Sequence, residues 1–86
     1  MERMPFPTQE ILHLADELEK SKRGLRITDR ITVTHGYAEL LRMEPGNGAY
    51  QQKLRRALID LASLGDEFDC SLQKQLDRLV GQACCT

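Results

Sequence analysis

The side chains with the most reactive chemistry in this sequence are two histidines and three cysteines. His13 and His35 stand far apart, and Cys70 is well separated from the adjacent pair Cys84 and Cys85. A metal site needs ligands at short spacings, such as i and i+4 on a helix or Cys-x-x-Cys, and neither spacing occurs here. We therefore expect no bound metal ion and no cofactor.

The cysteine pattern bears on the cellular compartment. An odd number of cysteines, with Cys84 and Cys85 adjacent, does not make a disulfide framework, so we expect a reducing compartment. A disulfide between neighbouring residues is strained. We interpret the pair as incidental thiols, with a redox-active or cross-linking pair as the alternative.

Catalytic arrangements are the next question. The sequence has no recognisable Ser, His and Asp constellation, no glycine-rich phosphate loop and no paired carboxylates at a characteristic spacing. We expect a protein that is not an enzyme. A phosphotransfer module with His35 or His13 as the acceptor is an alternative.

Size and charge narrow the range of partners. The chain has 86 residues, which suffices for one domain, and its 12 basic and 13 acidic residues give a net charge of −1. This balance provides no field that would attract nucleic acid, so nucleic acid is an unfavoured partner. A DNA-binding regulator using the basic cluster between Lys20 and Arg30 is a second alternative, although acidic residues flank that cluster.

The sequence also shows no targeting or membrane signal. The first residues lack an apolar targeting core, and the longest apolar runs are two to three residues. We expect a cytoplasmic protein without a membrane-spanning segment.

Helical periodicity dominates the chain and indicates an all-α fold. Apolar residues recur at helical spacing in four segments, which we expect to form a small bundle or stacked hairpins as a single domain. The predicted helices span about 8–23, 28–44, 48–64 and 66–82, between an extended tail at 1–7 and a frayed end at 83–86.

Capping residues set these boundaries. Thr8, Thr28 and Asn47 are candidate N-caps, because their side-chain oxygens can accept bonds from free amides of a first turn. Gly24 and Gly65 are candidate helix ends, since glycine adopts the left-handed cap conformation readily. The Pro-Gly-Asn-Gly turn beginning at residue 45 joins the second and third helices.

The least certain segment is 26–34. Its β-branched residues alternate at Ile31 to Thr34, which is typical of a strand, but a lone strand has no partner. We prefer a helix that Pro45 ends, with Ala38 beside a side formed by six residues: Ile31, Val33, Tyr37, Leu40, Leu41 and Glu44. Gly36 within it predicts a close approach to a neighbouring helix.

Part of the chain resembles the tetratricopeptide repeat family. The run from Tyr37 to Asn47, followed by Leu54, Ala57 and Leu58, is similar to the junction between two such repeats, although Arg55 occupies a position where the family has a small residue. This resemblance covers about half the chain. It implies a chaperone or anti-activator of bacterial type that masks a hydrophobic segment of another protein.

A second resemblance concerns Gly36 to Leu41. The sequence Gly-Tyr-Ala-Glu-Leu-Leu is similar to the dimerisation helix of sensor histidine kinases. The family's phosphoacceptor histidine would fall near Leu25 and Arg26, neither of which accepts a phosphoryl group. The resemblance therefore implies a kinase-like helical hairpin without that chemistry.

These observations lead us to expect a regulatory module that binds other proteins. It would present an apolar groove or stripe to an amphipathic helix of a second copy or of a different protein, in a homo- or hetero-oligomer. The candidate partner-binding residues are apolar side chains that one small core does not account for: Tyr37, Leu41, Met43, Tyr50, Phe68 and Val80.

Overall fold

The computed structural model describes residues 6–21 and 23–84. Four α-helices account for most of these residues, and no strand occurs among them, which confirms the predicted all-α class. The helices are α1 (Thr8–Ser21), α2 (Leu25–Met43), α3 (Gly48–Ala62) and α4 (Cys70–Cys84), with a 3-10 turn at Gly65–Glu67 before α4.

Each helix packs against two others, so the four form a closed bundle. Helices α1 and α3 both contact α2 and α4. The first turn of α1 lies beside the second half of α4, where an Arg78 nitrogen is 3.6 Å from a Glu10 oxygen. At the opposite end, Arg26 at the start of α2 is 3.7 Å from Glu67 before α4. The short connections therefore make neighbouring helices antiparallel, in a molecule measuring 39 × 22 × 17 Å.

The core consists of one apolar stripe from each helix. In α2 the buried positions follow a heptad-like spacing and include one polar residue, Thr34, whose hydroxyl donates to the Arg30 carbonyl at 2.8 Å. A hydroxyl bonded within its own helix can be buried without an unsatisfied donor. The buried positions of α2 are Ile27, Ile31, Thr34, Ala38 and Leu41.

The segment left ambiguous by the sequence is helical throughout. Helix α2 begins at Leu25, with Gly24 as its N-cap in an extended conformation. The predicted cap at Thr28 is wrong, because its hydroxyl donates 3.0 Å back to the Gly24 carbonyl instead of accepting from an amide. Thr32 bonds to the Thr28 carbonyl in the same way, so these β-branched residues satisfy their hydroxyls inside the helix.

Other predicted helix ends also shift. Helix α1 ends at Ser21, so Gly24 caps α2 rather than ending α1. Thr8 is the first residue of α1, and its amide donates to the Phe6 carbonyl at 2.7 Å. The cap at Asn47 is confirmed, since its side-chain oxygen accepts from the Tyr50 amide at 3.1 Å.

The fourth helix starts later and ends later than predicted. Asp66 and Glu67 belong to the 3-10 turn, and the Asp69 carboxylate accepts from the Leu72 amide at 2.9 Å, which makes Asp69 the cap. Ala83 is buried, and its carbonyl accepts from Arg55 Nε at 2.7 Å, which holds the last turn against α3. The predicted fraying of Cys85 and Thr86 lies outside the described residues.

Candidate protein-binding face

The reactive side chains do not converge in the structure. His13 is exposed on α1, and both Cys70 and Cys84 are exposed free thiols. Among residues 6–21 and 23–84, no group of three or more His, Cys, Asp or Glu side chains is arranged to hold a metal ion. Cys85 lies outside this part of the chain. These residues therefore define no shared site.

His35 lies at a shallow groove between α1 and α2. Its Nε2 atom is 3.8 Å from an Asp16 oxygen, and the side chain is partly exposed. The groove has a volume of about 350 Å³, and Glu19 and Gly36 are among its lining residues. The negative charges of Asp16 and Glu19 lie on the approach to His35 and repel an incoming phosphoryl group.

Gly36 is exposed, contrary to the predicted close helix contact. A Cβ atom built at this position meets nothing within 4 Å. The heptad-like core stripe of α2 passes through Thr34 and Ala38, and Gly36 points away from it. The prediction was wrong because a glycine in a helix does not by itself show which face is covered.

The six predicted partner-binding residues do not form one surface. Leu41 and Phe68 are buried in the core, so their side chains are not available at the surface of this bundle. Met43 is 74% exposed at the end of α2. The other three are partly buried against the core: Tyr37, Tyr50 and Val80.

A second stripe on α2 does carry exposed apolar side chains. Val33 is 46% exposed and Leu40 is 40% exposed, with the partly buried Tyr37 between them. The sequence pattern had placed both on the same side of the helix as Ile31 and Leu41, which are buried, and the structure corrects this. Each lies one residue before a core position, so the second stripe is about 100° around the helix from the core.

The spacing of Val33, Tyr37 and Leu40 continues along α2 to charged residues at both ends of the helix. We call the resulting set the α2 stripe, and it alternates in steps of four and three residues. Its members are Arg26, Arg30, Val33, Tyr37, Leu40 and Glu44. Glu44 follows the last helical residue, but its amide still donates to the Leu40 carbonyl at 3.1 Å, so it continues the final turn.

Helix α3 forms one border of this stripe. The Lys53 ammonium lies over the Tyr37 ring, 5.8 Å from its centroid. This cation–π contact covers part of the ring and places a positive charge beside the apolar centre of the stripe. Val33 and Leu40 stay accessible on the same face, which therefore combines apolar area with a charged margin.

Two exposed apolar residues lie apart from Val33 and Leu40. Leu25 lies at the first position of α2, and Ile59 is 50% exposed on the outer face of α3. Single apolar side chains on a protein surface are ordinary. Ile59 therefore serves as a natural control for any property assigned to the α2 stripe.

The basic cluster is not a uniform positive patch. Lys20 pairs with Glu17 at 3.8 Å, and Arg26 pairs with Glu67 at 3.7 Å. Lys22 lies outside the described residues. The paired charges give a mixed surface, which provides little attraction for a phosphate backbone.

Comparison with known proteins adds no identification. No family model, no curated protein sequence and no solved structure matches this chain. The resemblances to tetratricopeptide repeats and to histidine-kinase dimerisation helices therefore stay predictions based on the residues quoted above. Across residues 6–21 and 23–84, no helix is both long enough and apolar enough to cross a lipid bilayer.

Proposed function

We propose that this protein is a non-enzymatic interaction module that binds another protein chain through the α2 stripe. The observation that carries the proposal is the pair of exposed apolar side chains Val33 and Leu40 on one face of α2, with Tyr37 between them. A helix whose core stripe is already buried has no need of a second apolar stripe for folding. An amphipathic helix of a partner would cover this second stripe by helix-to-helix packing.

The biological task that follows is regulation by masking or assembly. A small adaptor, chaperone or anti-activator works by covering an amphipathic segment of its partner, and this needs an apolar strip without a catalytic pocket. The contribution of each residue is limited, because about half of each side chain, Val33 and Leu40, is already covered within the chain. We therefore expect modest affinity and rapid exchange, as is common for small regulatory interfaces.

The test compares two single substitutions with the same chemistry. Leu40→Gln removes apolar area from the α2 stripe, and Ile59→Gln removes a comparably exposed side chain from α3. Glutamine is a good helix former, so both variants should remain folded by circular dichroism. Proteins cross-linked to the wild-type chain in its source cells should be retained by Ile59→Gln and lost by Leu40→Gln. Equal retention by both variants would contradict the proposal.

One observation favours the phosphotransfer alternative, namely that His35 is partly exposed in the middle of a helix of a four-helix bundle. Asp16 and Glu19 beside it weaken this alternative, as described above. Incubation with a small phosphodonor, followed by mass analysis of wild type and His35→Gln, separates the two functions. A phosphohistidine absent from the variant would replace our proposal.

A further inference from the structure

The charges at the ends of the α2 stripe suggest which partner it binds. Arg26 and Arg30 occupy the first half of the stripe, and Glu44 occupies the last position. The apolar centre between them consists of Val33, Tyr37 and Leu40. The stripe is therefore basic at one end and acidic at the other.

We propose that the α2 stripe pairs with the α2 stripe of a second copy of this chain, with the two helices antiparallel. This inference rests on the proposed function and names the partner. Two identical helices placed parallel would bring arginine against arginine and glutamate against glutamate. Antiparallel pairing instead places Arg26 of each copy opposite Glu44 of the other, so the surface is complementary to itself.

The spacing of the stripe fixes one register for this arrangement. Arg26 and Glu44 both lie nine residues from His35 along the chain. At 1.5 Å per residue, each is about 13.5 Å from the level of His35, so a two-fold axis there aligns both ion pairs at once. The same axis places Val33 opposite Tyr37, and Leu40 opposite the methylene chain of Arg30. Alternation of four and three residues is the spacing that keeps such layers in contact along two helices.

The charged side chains are accessible for these contacts. The Arg26 side chain is 76% exposed although one of its nitrogens is 3.7 Å from Glu67. A guanidinium has five N–H donors, so it can contact a second carboxylate without losing the first. Glu44 is exposed just beyond the helix. The ion pair within the chain therefore orients Arg26 and leaves it free to bind a second copy.

The available area predicts a weak dimer. Stable interfaces cover about 800 Å² on each partner, and the entire described surface is 5699 Å². One face of a single helix covers less than that standard area. We expect association in the range of about 10 μM to 1 mM, measurable by sedimentation equilibrium over a concentration series.

Charge reversal tests the arrangement. Glu44→Arg and Arg26→Glu should each weaken self-association about 10-fold, because each replaces two attractive pairs with repulsive ones. The double variant Arg26→Glu/Glu44→Arg should restore it, and an equimolar mixture of the two single variants should associate more tightly than either alone. At about 1 M NaCl these differences should disappear through screening. Ile59→Gln should leave association unchanged.

The outcomes separate this inference from the proposed function. A chain that remains monomeric at about 1 mM overturns the self-association, while selective loss of a different cross-linked protein in Leu40→Gln still supports an interaction module. A dimer that is insensitive to both single reversals overturns the antiparallel register. A dimer that Leu40→Gln leaves intact overturns the use of the stripe itself. Circular dichroism of each variant shows whether it is folded. If a single variant unfolds, the double variant Arg26→Glu/Glu44→Arg is compared with the wild-type chain instead, and failure of the folded double variant to associate overturns the register.

Discussion

Replacing Gly36 with alanine should stabilise this protein. Gly36 lies in the interior of α2, eleven residues after Leu25 and seven before Met43, and it is exposed. An added Cβ meets nothing within 4 Å, so alanine introduces no clash and removes no contact. The substitution acts mainly on the unfolded chain, where glycine has more backbone freedom to lose on folding.

The expected size follows from helix propensity. Glycine in a helix interior is less favourable than alanine by about 0.8–1 kcal/mol. Because no contact partner changes at Gly36, nearly all of this difference should appear in the free energy of unfolding. For a domain of this length, a change of about 1 kcal/mol corresponds to a rise in Tm of about 4–8 °C.

Thermal and urea unfolding, followed by circular dichroism at 222 nm, measures this effect. A low protein concentration keeps the chain monomeric, so the result reports the bundle alone. Gly65→Ala is the matched control, because a Cβ there would approach the Gln73 Oε1 atom to 2.5 Å. Gln73 would have to move, and its bond from Nε2 to Asp77 at 2.8 Å would be disturbed. These atoms end a flexible side chain, so Gln73 is able to move, and we expect Gly65→Ala to raise Tm less than Gly36→Ala does.

The result that refutes the reasoning is an unchanged or lower Tm for Gly36→Ala. It would mean that the position requires glycine, either for close contact with another helix or for a conformation that alanine does not adopt. A rise in Tm of equal size in Gly65→Ala would show that the space around an added Cβ atom does not set the size of the effect.

Three further substitutions test the cap and the core. Asn47→Ala should lower the free energy of unfolding by about 1 kcal/mol in urea titration, because it removes the side-chain acceptor of the Tyr50 amide. Asn47→Asp keeps an acceptor there and should retain most of the wild-type stability. Leu58→Ala should lower the free energy of unfolding by about 2–5 kcal/mol, since Leu58 is fully buried. Ile59→Ala at the adjacent, half-exposed position should lower it by well under half as much. Similar losses for the two variants would contradict the described burial. Thr34→Val should change the free energy of unfolding by no more than about 1 kcal/mol, because the Arg30 carbonyl that accepts from the Thr34 hydroxyl belongs to the same helix. A larger loss in calorimetry would show that this hydrogen bond matters more for stability.

The helical class and most of the core were accessible from the sequence. The apolar residues that recur at helical spacing in these segments are buried in the structure, among them Ile11, Leu14 and Leu18 in α1 and Leu54, Leu58 and Leu61 in α3. The cap at Asn47 was also predictable, because its bond to the Tyr50 amide joins residues three apart. Such features depend on local geometry, which neighbouring residues encode directly.

The sequence did not predict which face of α2 packs into the bundle. This helix has apolar residues on two stripes, so periodicity alone does not show which stripe packs inward. The sequence pattern grouped Val33 and Leu40 with Leu41 on one side of the helix. Packing against α1 and α3 buries Thr34 and Leu41 and leaves Val33 and Leu40 exposed. The signal that could have resolved it is charge, since Arg26, Arg30 and Glu44 share the spacing of the exposed stripe and the inner stripe has no charged residue.

By itself, then, the sequence determined four helices, the cap at Asn47 and the buried stripes of α1 and α3, because hydrogen bonding and capping act over a few residues. Only the tertiary structure decided that Arg55 holds the last turn of α4 at the Ala83 carbonyl and that Gly36 is uncovered. It also decided that Leu41 and Phe68 are core residues and that Val33 and Leu40 are exposed. These properties depend on which helix faces lie against each other, and that is settled by packing between residues far apart in the chain.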